Sequence, residues 1–465
     1  MRRKAILRSA KTWPMRATSG IVASERRRVR LGPATLPLMT KNPCITKSAA
    51  LHSLRQAVML AFLRLNALVI AGSPVGGLPR ARPSLGDLSS FREASNGIEA
   101  TAAAAGGTDA DPYPRAAAEQ SRWSPDRANR WYQAQGWLVG ANYITSNAIN
   151  QLEMFQADTF DPRRIDTELG WAQMHGLNAV RVFLHDQLWA QDQRGFQKRL
   201  AQFVGIAARH RIKPLFVLFD SCWDPFPKPG RQRAPKPGVH NSGWVQSPGA
   251  ERLDDLDYRR TLLNYVTGVL NQFRTDDRIL GWDLWNEPDN PARAYRKVER
   301  KDKQERVADL LSLAFGWARS VDPSQPLTSG VWTGEWGDRQ RRSEIANIQL
   351  ENSDVITFHC YGEPAAFEAR IAELSPLGRP TLCTEYLARN FGSTVDGVLP
   401  LAKRHNVSAI NWGLVAGKTQ TYFPWDSWDH PYTAVPKLWF QDLLQPDGRP
   451  YRDTEIQTIS KLSGV

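Results

Sequence analysis

Residues 279–289 read Ile-Leu-Gly-Trp-Asp-Leu-Trp-Asn-Glu-Pro-Asp. An apolar run of strand length ends abruptly on an amide and a carboxylic acid, Asn286 and Glu287, and a proline closes it. Seven other runs share this texture: 137–143, 179–184, 214–220, 326–332, 354–361, 380–386 and 409–415. Amphipathic stretches of helical length fall between them, at 161–175, 196–210, 256–273, 303–321 and 365–374. Eight strands with helical crossovers over about 340 residues predict an α/β fold, a (β/α)₈ TIM barrel with long loops after strands three and eight. A doubly wound open sheet is the rival. It would carry a glycine-rich phosphate turn after an early strand, and neither G-x-G-x-x-G nor a Walker sequence is present.

The chain has 465 residues and a net charge of +13, which by itself suggests a polyanionic partner. The excess is not spread evenly. Thirteen Lys/Arg and one acidic residue, Glu25, lie within residues 1–57, leaving 47 basic against 46 acidic residues in the remainder. Residues 1–56 therefore read as a basic leader, disordered or upstream of the true start, and no nucleic-acid partner is expected of the rest. Residues 57–73 pass from an apolar core, broken by Arg64 and Asn66, into small residues, Ala71-Gly-Ser73. That is the order of a signal peptide starting at Met39 or Met59, and it predicts an exported protein, periplasmic or extracellular. The run is too short for a stable membrane span, which needs about 20 apolar residues. Residues 74–121, rich in Ala, Gly, Pro and Ser, read as a linker, and 122–465 as the catalytic barrel. Oligomeric state has no sequence signal.

A barrel of this kind carries its chemistry at the carboxyl ends of the strands. The polar residues so placed are Asn142, Arg181, Asp220, Asn286 with Glu287, His359 with Tyr361, and Glu385, together with the indole of Trp412. His359 and Tyr361 share a face by period-two alternation. The same alternation puts Cys360 on the opposite face and Cys383 on the face of Glu385, so no bridge is expected between those two cysteines.

The barrel portion, about 123–462, resembles the clan A glycoside hydrolases and, within them, glycoside hydrolase family 5, the cellulase and mannanase family. The resemblance rests on Val180-Arg-Val182, Trp285-Asn-Glu-Pro288, Phe358-His-Cys-Tyr361, Thr384-Glu-Tyr386 and Asn411-Trp-Gly413, each at the end of its strand and in the family's order. N-E-P alone is a weak signal; the five in order are a strong one. One departure stands out: a histidine is common at the end of strand three in the family, and here Asp220-Ser-Cys-Trp223 occupies that place.

The resemblance implies a retaining β-glycoside hydrolase that cleaves β-linked glycosides or polysaccharides by double displacement, without a cofactor or metal. Glu287 would be the acid/base and Glu385 the nucleophile. Arg181 and Tyr361 would hold Glu385 ionised, while desolvation beside Trp285 would keep Glu287 neutral. Asn286 would bind the 2-hydroxyl, and Trp412 would floor the sugar subsite. Asn142, Asp220, His359, Trp223 and Trp425 complete the expected substrate-binding set, the last two in aromatic loops suited to sugar faces.

Two other functions fit a barrel. A non-catalytic carbohydrate-binding barrel would keep the tryptophans but lose one of the glutamates, and neither is missing. A metal-dependent hydrolase would need a His-x-His pair on strand one, which Gly140-Ala-Asn-Tyr143 lacks. His185-Asp186 is the nearest approach to a ligand set, and a loop contact is expected of it.

Overall fold

The computed structural model describes residues 121–465. The basic leader, the 57–73 segment and the linker up to residue 120 lie outside the described residues. Eight parallel strands follow one another: β1 (Val139–Asn142), β2 (Ala179–Phe183), β3 (Lys213–Asp220), β4 (Gly281–Asn286), β5 (Leu327–Thr328), β6 (Ile356–His359), β7 (Thr381–Glu385) and β8 (Ser408–Trp412). They hydrogen-bond in the order β5-β4-β3-β2-β1-β8-β7-β6. The two ends meet through Val331, whose N–H donates to Thr357 O (3.1 Å) and whose carbonyl accepts from the His359 N–H (2.9 Å). The sheet is thereby a closed barrel, and its strands are almost wholly buried, as parallel strands with covered faces must be.

The main covering helices are α1 (Pro125–Gln135), α2 (Gln151–Phe155), α3 (Pro162–Met174), α4 (Asp186–Arg209), α5 (Leu256–Gln272), α6 (Lys303–Val321), α7 (Glu344–Asn352), α8 (Pro364–Leu374), α9 (Val395–Arg404) and α10 (Asp453–Ser463). Asp161 starts α3 by accepting from the N–H groups of Arg163 and Arg164, with Pro162 in the first turn. Helix α4 begins ten residues earlier than its apolar period suggests, because His185 accepts from the Gln187 N–H as an N-cap and a kink at Asp192 joins two helical pieces. His185-Asp186 is therefore a helix start, with Asp186 also bonded by Ser247 and Tyr258. The short helix α1 has no partner in the sequence pattern. Its Ala128 and Tyr132, with Trp123 before it, close the lower mouth of the barrel against Leu138, Leu215, Leu280, Leu382 and Ile410.

Strict alternation fails at the upper end of β4 and where β6 pairs with β7, and this places the site. Asp283 and Asn286 both bond the interior Arg181 although they are three positions apart. Between them Trp285 turns away and packs on Phe219, which in turn meets Tyr265 of α5. A register shift between Phe358 and His359 likewise pairs His359 with Glu385, skipping Thr384. Glu385 faces inward in consequence, while Cys383 joins the helix-side core with Cys360. That corrects the shared face predicted for Cys383 and Glu385: one extra residue re-aims everything after it. Cys222, Cys360 and Cys383 are all free.

Candidate active site

The upper end of the barrel collects nearly every polar residue singled out from the sequence. Arg181, fully buried on β2, is its hub. The guanidinium donates Nε and Nη2 to Asp283 Oδ2 (3.0 and 2.8 Å), Nη1 to Glu385 Oε1 (2.7 Å) and Asn142 Oδ1 (3.0 Å), and Nη2 to Asn286 Oδ1 (2.8 Å). Asn142 is held in turn by donating to Thr384 O and Asn411 O. The amide of Asn286 donates to Asp220 Oδ1 (2.9 Å) and, weakly, to Cys222 Sγ (3.4 Å). Asp220 also accepts from the Cys222 N–H and the Trp244 indole, so its oxygens are engaged within the protein.

Glu287 sits one residue past β4 in a left-handed turn, φ 43°, a conformation that costs a non-glycine residue roughly 1 kcal/mol or more. Its Oε2 accepts from Asn290 Nδ2 (2.6 Å) and faces the Cys222 thiol (3.3 Å). Its Oε1 lies 2.9 Å from His359 Nδ1. The same nitrogen lies 3.3 Å from Glu385 Oε2, which also accepts from the Tyr361 hydroxyl (2.7 Å). Trp285 has turned outward, so Glu287 is buried among Cys222, His359 and Asn290 and not against that indole.

One oxygen of Glu287, one of Glu385 and a nitrogen of His359 lie within 4.8 Å of one another, and all three residues are buried. This is the group among the described residues whose spacing would let it hold a metal ion. It is also the spacing of two carboxyls that can act on one glycosidic carbon. Retaining enzymes keep that separation near 5–5.5 Å, whereas inverting ones need roughly 6.5–9.5 Å to admit a water between.

The electrostatics follow from having one guanidinium among several buried acids. Burial pushes the carboxyls of Glu287, Glu385 and Asp283 up and that of Asp220 up to about 6. At Glu385, His359, Arg181 and Tyr361 oppose the rise. At Glu287 the opposition comes from Asn290 and Cys222 first, with Arg181 more distant. Burial also drives the His359 imidazole down to about 4, so it is neutral at neutral pH.

The aromatic residues form a floor and walls. Trp412, half-buried at the end of β8, packs edge-on against Phe183 (5.6 Å between ring centres) and Trp244 (5.8 Å). Trp425 stands perpendicular to Tyr361 at 5.1 Å, and Trp223 stacks on Trp428 at 5.2 Å. Asp283, Cys222 and Asn290 were not singled out from the sequence. Asp283 stands three residues before Asn286, but only the barrel's closure reveals that it shares Arg181 with Glu385.

No protein-family model matches the chain, and no curated protein matches it. Among solved structures it is similar to GH5_18 from Streptomyces cattleya in complex with GlcNAc, at 14% identity and a TM-score of 0.48 over 70% of this chain and 79% of that one. It is also similar to the exo-β-1,4-mannosidase Op5Man5 from Opitutaceae bacterium strain TAV5, at 18% identity and a TM-score of 0.46 over 70% of this chain and 60% of that one. A third is the endo-β-1,4-mannanase from Thermotoga petrophila, at 15% identity and a TM-score of 0.45 over 71% and 76%. These are likenesses of fold. No helix among the described residues is long and apolar enough to cross a membrane.

Proposed function

We propose that the chain is a retaining β-glycoside hydrolase of family 5 type, with Glu385 as nucleophile and Glu287 as acid and then base. The observation that carries this is the approach of Glu287 and Glu385 to within 4.8 Å around His359. The residue types that surround them, and their order along the chain, support it independently.

In the first step a Glu385 oxygen attacks the anomeric carbon as Glu287 gives its proton to the departing oxygen; a glycosyl ester forms and the glycosidic bond breaks. Glu385 is suited to begin ionised because a guanidinium stands 2.7 Å from it, and Glu287 to begin protonated because it is buried without a contacting cation. Esterification removes the charge on Glu385, so Glu287, ionised by giving up its proton, is stable as a carboxylate. It takes a proton from water, the resulting hydroxyl adds to the anomeric carbon, and Glu385 is released. Asn286 can pass the hydrogen now on Cys222 to the 2-hydroxyl of the sugar, whose ring rests on Trp412. Asn142 and Asp220 act through Arg181 and Asn286.

The test is the purified chain on gluco-, manno- and galacto-configured aryl β-glycosides, with Glu385→Ala beside it. The variant should lose turnover and regain it with azide, yielding the α-glycosyl azide. Near-native activity in Glu385→Ala, or azide products of β configuration, would remove the nucleophile from Glu385.

A further inference from the structure

Resting on that function, we infer that the sugar side of the site is a blind pocket, so that the chain removes single sugars from the non-reducing ends of its substrates and does not cut within a chain. The direction comes from the two carboxyls and the floor. Glu287 follows β4, so the leaving group must lie on the β4 side. A ring seated on Trp412, at the end of β8, turns its far end towards the rim above β1 and β2, because Trp412 leans on Phe183 of β2 and on Trp244.

That rim is closed by chain. The loop after β3 and the loop after β8 meet across it and bond repeatedly, mostly through their backbones. The Asn241 N–H donates to Thr419 O (2.7 Å), the Tyr432 N–H donates to Gly238 O (3.0 Å), and the His240 N–H donates to Ser427 Oγ (2.9 Å). Gln420 adds a clamp: its side chain accepts from the Gly238 N–H (3.1 Å) and donates to Lys236 O (2.8 Å). The loop after β1 is tied to both partners, with Asn150 Nδ2 donating to Gly243 O (2.9 Å) and the Lys418 N–H to Ser146 O (2.9 Å).

Three glycines show how close the segments lie. A Cβ would fall 1.8 Å from Tyr432 O at Gly238, 2.2 Å from Ser146 O at Gly417 and 2.2 Å from the Ile149 side chain at Gly243. No sugar chain passes between backbones that cannot admit a methyl group. The space among Ile144, Trp244, Thr419 and the Trp412 indole is about 20 Å³, too little for a second sugar ring. The other side differs. A depression of about 770 Å³ opens between the segment after β4 and that after β5, lined by Asp289, Asn290 and Thr333; Asn290 bonds Glu287, so open space lies on that side for a leaving group.

The experiment uses the full chain on a hexasaccharide labelled at its reducing end, in whichever sugar configuration the aryl glycosides show it accepts. The first labelled product should be the pentasaccharide, then the tetrasaccharide, with free monosaccharide released at each step. A ketal bridging the 4- and 6-hydroxyls of the non-reducing residue should slow cleavage on the order of 10²-fold. Gln420→Ala, with its fold checked by circular dichroism, should loosen the strap and raise the ratio of capped to uncapped cleavage about tenfold. Early labelled fragments of middle length, or equal rates on capped and uncapped substrate, overturn the blind pocket and leave the hydrolase standing. An unchanged ratio in a folded Gln420→Ala variant overturns the assignment of the barrier to this strap. Failure on every glycoside removes the hydrolase itself and the pocket with it.

Discussion

The imidazole Nδ1 of His359 stands 2.9 Å from Oε1 of Glu287, across 72 positions of sequence. That nitrogen also faces Glu385, so a single neutral ring separates two acids to which the proposed mechanism gives different protonation states. His359→Ala should admit water beside Glu287 and relieve the desolvation that raises its carboxyl. In the proposed mechanism Glu287 must be protonated for the first step, so activity should fall as pH rises through its pKa, and a lowered pKa moves that basic limb to lower pH. The pH dependence of kcat/KM on an aryl glycoside should show the shift, with a loss of about 10–100-fold at the optimum. A basic limb that stays in place would count against the contact.

Arg181 serves Asp283 as well as Glu385, and its removal strands a buried carboxylate. Arg181→Met should lower unfolding stability by about 3–5 kcal/mol and abolish turnover. The double variant with Asp283→Asn should recover much of the stability and none of the activity. Urea unfolding of the two proteins separates the structural from the catalytic share; equal instability in both would mean that Asp283 is not the group left unpaired.

Asp442, after β8, is fully enclosed and accepts only the Thr421 hydroxyl at its carboxylate; burial pushes it up to about 7. An acid whose folded pKa exceeds its unfolded value favours the fold below the unfolded value, and that contribution is lost as pH rises through the folded one. The window is therefore about pH 4 to 7, and the loss is at most about 4 kcal/mol. Asp442→Asn should match the native protein in Tm near pH 4 and exceed it at pH 8. A constant difference across that range would show that the carboxyl does not titrate there.

Cys222, Cys360 and Cys383 are buried, and burial raises all three thiols. Because the thiolate is the reactive form, iodoacetamide at pH 8 should leave these three unmodified in the folded chain and alkylate them in urea. Peptide mass spectrometry reads the outcome. Rapid alkylation of Cys222 in the native protein would mean that the space beside Glu287 is wetter than the packing implies.

Local pattern was enough for the order of elements. Runs such as 279–285 and 179–184 are apolar because parallel strands are covered on both faces, and that requirement is written into consecutive residues. It was enough, too, for the chemical types at the strand ends: Glu287, Glu385, Arg181, His359 and Tyr361 meet as their positions in the strands predict. What the chain order could not supply was facing after a shift in register. Glu385 points into the site although Cys383, two residues before it, points away, because the pairing of β6 with β7 skips Thr384, and strand alternation carries no mark of such a shift until partners are paired. Partnerships across the barrel were equally silent. Arg181 lies 102 positions from Asp283 and 204 from Glu385, and Gln420 lies 182 from Gly238. Burial is a property that each residue meets within a few neighbours, whereas the ion pairs and the strap exist only once the sheet has closed and brought distant loops into one place.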